Sequence, residues 1–445
     1  MSKTFRAWDV EQVWLLPPSV HDFVPAGHPA HLVRELVRSG LDLSAIFEPY
    51  EREERGQPPY HPAMMVALLL YAYTQGVYAS RRIARGCEER LDIMAVTGLQ
   101  RPDFRTISDF RKRHLEALAA LFVQVLRLCR AAGLVKLGHV ALDGTRLKAN
   151  ASKHKAMSYG RMRAAEATLA AEVEGWLAKA ETADAAEDAE LGPETRGDEL
   201  PDWVADAQAR LERLRAAKAA LEAEAKADPP SPEAEPGPSS GMVDHGRPAH
   251  GPEGGPPDRA QHNFTDPDSR VMKTRDGFIQ GYNGQLAVDA AHQIITAQRL
   301  TTNGNDQAGL VPLLTATTAA LGRTPREVSA DAGFCREDNL EALAARGIRG
   351  YLAPGRGRHG RADPSGRRQI KPGSRMAAMA ARLRRAGRRS RYRLRKQTVE
   401  PVFGQIKHAR GFRQFLLRGF TKVEAEWALV CTAHNLAKLV STRAS

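Results

Sequence analysis

The chain has 445 residues, a formal net charge of +13 and a pI of about 9.7. That length allows two or three domains with a sizeable core, and the positive excess favours a polyanionic partner, nucleic acid first. Four scattered cysteines with no CxxC pair (Cys87, Cys129, Cys335, Cys431) argue against a zinc site or a disulfide framework and suit a reducing cytoplasm. The first residues carry no apolar stretch of a secretion signal, and "AMMVALLLYAY" is too short to span a bilayer, so no membrane partner is expected.

Residues 1–135 read as a helical domain. Apolar residues recur at helical spacing in 29–41, 61–76, 80–98 and 106–133, with Ser80 and Thr106 or Ser108 as N-caps and Gly98 and Gly133 as stops. Arg81, Arg82 and Arg111 fall on faces expected to be exposed. Short helices with exposed arginines suit a helix-turn-helix-like DNA binder, and equally a helical bundle with solvated arginine faces.

At residue 136 the pattern changes. "KLGHVALDG" predicts a short strand ending at Asp143. Residues 157–227 predict an inserted helical hairpin, with Leu211, Leu214, Ala217 and Leu221 facing Leu169, Val173 and Leu177. Residues 228–260 are rich in Pro and Gly and poor in large apolar side chains, which predicts a disordered linker. From 261 on, two adjacent strands meet at a turn over Ala290–His292. A helix from 307, a strand ending near Asp331, a helix from 336, a strand from 348 and a closing helix from 422 follow. The pattern is that of an α/β domain built from 136–156 and 261–445.

Three carboxylates carry the chemistry. Asp143 and Asp331 follow apolar strands, and Glu400 lies in "TVEPVFGQIK" on an amphipathic run with Lys407 two turns later. Pro401 predicts that Glu400 is the N-cap of its helix. An oxygen-only set suits Mg²⁺, with Mn²⁺ as substitute, and two such ions about 3.5–4 Å apart can activate a nucleophile and stabilise a leaving oxygen at a phosphodiester. The basic run that precedes Glu400, with Arg388 and Arg391 in it, suits contacts with backbone phosphates. Asp289 and Asp306 read as a turn residue and an N-cap, and His434 as a core histidine. Tyr282, Asn283 and Gln285 read as DNA contacts or plain strand residues.

In this order, "LDGTRLKANASKHKAM", "QHNFTDPDSRVMKTRDGFIQGYNGQLAVD", "SADAGFCREDNL" and "YRLRKQTVEPVFGQIKHARGFRQFLLRG" resemble the catalytic blocks of insertion-sequence DDE transposases whose last block has a Tyr-Arg-Glu-Lys signature. "EQVWLLPPSVHDFVPAGHPAHLVRELV" is similar to their N-terminal domain. The resemblance implies an RNase H-like catalytic domain, a mixed sheet flanked by helices. It implies a catalytic and metal-binding triad of Asp143, Asp331 and Glu400. Tyr392, Lys407, and Arg395 or Lys396 would be the DNA-touching signature residues. Arg395 is separated from Glu400 by four residues, whereas Lys396 has the family's spacing of three. The implied activity is phosphodiester hydrolysis at the ends of the element and strand transfer into target DNA. The implied partners are terminal inverted repeats, target duplex and a second copy of the chain in the synaptic complex. A purely hydrolytic nuclease of the same fold and a catalytically inactive DNA-binding relative are the alternatives.

Overall fold

The computed structural model describes residues 19–51, 59–191, 202–227, 255–274, 277–354, 370 and 372–443. The N-terminal part holds α1 (Pro29–Ser39), α2 (Ser44–Glu51), α3 (Pro62–Thr74), α4 (Ser80–Glu89), α5 (Leu91–Thr97), α6 (Phe104–Arg113) and α7 (Leu115–Ala131). Extended backbone at Arg90 splits the third expected helix into α4 and α5, and His114 splits the fourth into α6 and α7. Asp103, not Thr106 or Ser108, caps α6, accepting from the backbone N–H groups of Arg105 and Thr106. Ala79, not Ser80, is the N-cap of α4. Gly98 closes α5 in the left-handed conformation that an unbranched backbone adopts without strain.

The rest comprises β1 (His139–Lys148), β2 (Ala156–Ser158), α8 (Tyr159–Leu191), α9 (Asp202–Ala227), β3 (Gln261–Asn263), β4 (Arg270–Thr274), β5 (Gly277–Asp289), β6 (Ile295–Thr301), α10 (Leu310–Leu321), β7 (Glu327–Ala330), α11 (Glu337–Ala345), β8 (Arg349–Leu352), α12 (Arg375–Ala386), α13 (Leu394–Gly404) and α14 (Phe420–Arg443). β1 lies at the centre of the main sheet, antiparallel to β5 and parallel to β7, which is itself parallel to β8. β6 and β4 each pair antiparallel with β5. An antiparallel meander continued by parallel strands, with helices packed on it, is the RNase H-like arrangement.

β1 is longer than its sequence suggests. The strand passes through Asp143 and runs on to Lys148, because β5 pairs with it from Val140 to Lys148. α13 also differs. It starts at Leu394, so Glu400 sits within it and Pro401 is inside the helix rather than at its first position. A proline there leaves the carbonyl four residues back without its helical donor. That carbonyl, on Gln397, instead accepts from the Gln293 side-chain amide at 3.2 Å, and the helix continues.

α8 and α9 pair as the expected hairpin, with Met162, Leu214, Ala217 and Leu221 forming a small core of their own. The Leu177 side chain lies outside the described residues, as do residues 228–254 of the expected linker. Residues 255–260 form turns leading into β3.

The N-terminal helices share one continuous hydrophobic core with the sheet. α14 is the common member, packing on α3, α7 and β6. At Gly76 (φ +75°) an added Cβ would lie 2.6 Å from the Arg410 carbonyl oxygen, so the turn after α3 meets the C-terminal half backbone to backbone. His434, on α14, is a satisfied core histidine whose Nε2 lies 3.0 Å from the Gln293 carbonyl.

Arg111 departs from the sequence expectation. It is 5% exposed, and its guanidinium donates to Tyr73 Oη (3.1 Å), the Tyr78 carbonyl (3.0 Å) and Ser80 Oγ (3.3 Å). Those acceptors come from the segment 73–80, which turns the expected outer face of α6 inward at this residue. Arg111 is therefore a structural buried cation. Glu426 on α14 is its nearest opposite charge, buried and accepting from the N–H groups of Leu416 and Leu417, each at 3.0 Å.

Burial pushes the Glu426 carboxyl up to about 7, against the pull of those N–H groups and of Arg111. A folded-state value above the unfolded one gives stability that is complete below the unfolded value and lost as pH rises through the folded one. The full span is about 3 kcal/mol. Glu426→Gln keeps an oxygen for both N–H groups and cannot ionise. Its melting temperature relative to the wild type should therefore climb between pH 5 and pH 8, measured by thermal denaturation across that range. A difference that stays flat would contradict the assignment.

Candidate active site

β1 and β7 place the two aspartates by register. Leu142 is the partner of Ala330 in the parallel pair, so the next residue of each strand, Asp143 and Asp331, emerges side by side. Asp331 has left the strand. Its carboxylate accepts from the Gly333 N–H at 2.8 Å and caps the short turn 332–334. That bond fixes the direction of the carboxylate.

α13 packs across β1 and β5 and brings the third acid. Its Arg395 guanidinium joins the set, with Nη1 2.5 Å from Asp143 Oδ2 and Nη2 3.4 Å from Glu400 Oε1. Asp143 is mostly buried, whereas the Glu400 side chain is 49% exposed. Burial pushes the Asp143 carboxyl up to about 7. Arg395 opposes this, and Asp331 and Asp306 add to it. Asp331 is raised for the same reason, burial first and the charge of Asp306 second. Burial raises the Tyr392 phenol, and the charge of Arg395 opposes this.

Lys396 is exposed, and Arg395 is the basic residue that meets the carboxylates. Lys407 lies in a π-helical turn, Gln405–Ala409, that continues α13. Its ammonium donates to Thr145 Oγ1 (2.9 Å) and to the Arg146 carbonyl (3.0 Å), tying that turn to β1 just past Asp143. Arg391 reaches β7 instead, with Nε 2.9 Å from Glu327 Oε2. The Arg388 side chain lies outside the described residues. Arg81 and Arg82 are exposed on α4, Arg81 5.0 Å over the Phe104 ring.

Local reading missed the role of Asp306. Asp306 precedes the turn 307–309, but its carboxylate makes no capping bond there. Oδ1 accepts instead from Asn283 Nδ2 and Gln285 Nε2, both at 2.8 Å and both on β5. Asn283 and Gln285 are thus buried, with their amides on Asp306. Asp289 keeps its turn role, accepting from the Leu137 and Ala291 N–H groups.

The donor set suits a hard divalent cation. It is oxygen only, it is poorly solvated at Asp143, and a cationic group already lies between two of its members. Among the described residues no group of three or more His, Cys, Asp or Glu side chains is gathered closely enough to hold a metal ion. Arg395 itself bridges Asp143 and Glu400. Among the described residues no helix is long and apolar enough to cross a membrane.

Residues 18–113 match the family Transposase domain (DUF772), and residues 255–436 match the Transposase DDE domain. The second match includes Asp306, Asp331 and Glu400 but begins after Asp143, which joins them through the register of β1. No curated protein and no solved structure matches the chain. Two transposase domains in tandem, together covering more than half of the sequence over an RNase H-like sheet, identify the chain as a member of the DDE transposases of insertion sequences.

Proposed function

We propose that this transposase uses Asp143, Asp331 and Glu400 to hydrolyse the phosphodiester at the ends of its element and to join the freed 3′-hydroxyl to target DNA. The observation that carries this reading is the side-by-side exit of Asp143 and Asp331 from parallel strands, with Arg395 linking Asp143 to Glu400. Two Mg²⁺ ions, or Mn²⁺ in their place, held by these three acids would supply activation of the attacking oxygen and charge compensation at the leaving one.

The chain's own residues supply position. Sheet and cap fix Asp143 and Asp331, so little reorganisation is left for the moment of reaction. Lys407 ties the turn after α13 to β1, and Arg395 links Glu400 on that helix to Asp143. Arg395 and Tyr392 lie where the strand to be cut would meet those acids. From the basic run in the sequence, Lys396, Arg388 and Arg391 would contact backbone phosphates. Arg81 and Arg82 on α4 suit the terminal inverted repeats, within the helical domain expected over 1–135. The net charge of +13 favours duplex DNA through counterion release. Pairing two element ends calls for at least two copies of the chain, and action on chromosomal DNA for the cytoplasm.

The test is a strand-transfer assay with Mg²⁺, a duplex carrying the terminal repeat and a supercoiled target plasmid. The expected result is covalent joining of the 3′-end to the plasmid. Cleavage without joining would show a hydrolytic nuclease, and binding with neither step would show an inactive relative.

A further inference from the structure

We propose that Gln293 is a positioning residue for the reaction, a clip that holds α13, the helix carrying Arg395 and Glu400, to the turn between β5 and β6. The inference rests on the reading above, in which Glu400 takes part in cleavage, and adds a residue that touches no substrate.

Gln293 has a left-handed backbone, φ +60°, in the turn that joins β5 to β6. A residue with a Cβ is disfavoured there, and glycine or asparagine is the usual occupant. Such a residue persists where its surroundings hold it from several sides. Its backbone is anchored first. The N–H donates to the Asp289 carbonyl at 3.0 Å, and its own carbonyl lies 3.0 Å from Nε2 of the buried His434. From that base the side chain reaches two helices. Nε2 donates to the Gln397 carbonyl within α13 at 3.2 Å. Oε1 accepts from Lys438 Nζ on α14 at 3.0 Å and from Gln405 Nε2, just past α13, at 3.3 Å. An ammonium only donates and a carbonyl only accepts, so the amide has one orientation.

The carbonyl it meets is the one that the helix cannot satisfy by itself. In a regular α-helix residue 401 donates to residue 397, and residue 401 is proline. That gap falls between Arg395 and Glu400, in the turn that sets the angle between their side chains. A proline with no substitute donor is a place where helices kink. Gln293 supplies the substitute, and its bond to Gln405 ties the far end of the same helix to the same side chain.

Gln293→Glu keeps acceptors for Lys438 and Gln405 and removes the donor to Gln397. Its melting temperature should stay near that of the wild type, because Lys438 gains an opposite charge. Single-turnover cleavage of end-labelled terminal-repeat duplex, at saturating DNA, should slow about tenfold with DNA affinity unchanged. Rescue separates positioning from a general weakening of the fold. Pro401→Ala returns a backbone N–H to the Gln397 carbonyl, so in that background Gln293→Glu should change the rate by less than about twofold. A wild-type rate in Gln293→Glu would overturn the proposal. So would a loss of the same size in the Pro401→Ala background, or a loss that follows a lowered melting temperature. Amide hydrogen exchange over 394–404, measured without DNA, tests the clip by itself. It should quicken in Gln293→Glu and return in the double variant, and unchanged exchange would overturn the clip. If the wild type cuts no DNA while exchange responds in this way, the cleavage reading fails and the hold on α13 stands.

Discussion

Asp143→Asn is expected to slow cleavage of the element end by about 10³-fold or more while leaving the fold intact. Cation chemistry at a phosphodiester is worth several kcal/mol of transition-state stabilisation, and about 4 kcal/mol corresponds to three orders of magnitude in rate. Asp143 is the acid least replaceable by its neighbours. It stands on the central strand, paired on both sides, so no backbone shift can bring another carboxylate to its place. The fold should survive for a separate reason. The substitution removes a mostly buried charge, whose desolvation is unfavourable, and also its ion pair with Arg395, which is favourable, so the two changes offset each other. Asp331→Asn and Glu400→Gln should fall in the same range. The check is single-turnover cleavage of end-labelled DNA together with thermal denaturation and a DNA-binding assay. A chain that melts and binds DNA normally yet cuts within tenfold of the wild-type rate would remove Asp143 from the site.

Much of this site was legible in the sequence because its acids follow short apolar strands. "HVAL" and "EVSA" announce buried strands, and the residue after each is Asp143 or Asp331. What could not be read is what depends on pairing across long separations. Asp306 looks like an N-cap from its place before a helix. Only the fold shows that its carboxylate is taken by amides from β5, 21 and 23 residues upstream. Pro401 argues for a helix start, and the rule fails here because Gln293, more than a hundred residues earlier, supplies the donor that proline removes. Arg111 fits an exposed face by helical periodicity, but Tyr73, Tyr78 and Ser80 surround it with acceptors. The spacing of Arg395 and Lys396 from Glu400 left the basic signature residue open. Which of them meets the acids depends on helical direction, since adjacent residues on a helix point about 100° apart, and Arg395 is the one that pairs with Asp143. The shared core of the helical part and the sheet was likewise invisible, because α14, the last element, is what joins them.

Arg395→Gln is expected to bind Mn²⁺ about tenfold more tightly than the wild type in the absence of DNA, and to bind DNA more weakly. The guanidinium satisfies Asp143 at 2.5 Å and reaches Glu400 at 3.4 Å, so it occupies the position of a counter-ion between two acids that a cation would share. Any divalent ion entering there meets an existing positive charge. A pair of unit charges 4 Å apart is worth about 4 kcal/mol at an effective dielectric of 20. Rearrangement and solvent recover most of that, and a net change of about 1.4 kcal/mol is tenfold in affinity. Arg395 is also imperfectly held, because its Nε is buried without a partner, which lowers the cost of leaving. A phosphate of the incoming strand offers that departing guanidinium a bidentate acceptor. Metal entry and DNA entry would then favour each other, with the arginine moving from carboxylates to phosphate. Two titrations check this. Mn²⁺ binding should tighten in Arg395→Gln and stay near wild type in Arg395→Lys, which keeps the charge. The salt dependence of DNA binding should lose about one phosphate contact in Arg395→Gln alone. Unchanged or weaker Mn²⁺ binding in Arg395→Gln would mean that the guanidinium orders the acids for the metal instead of standing in its place.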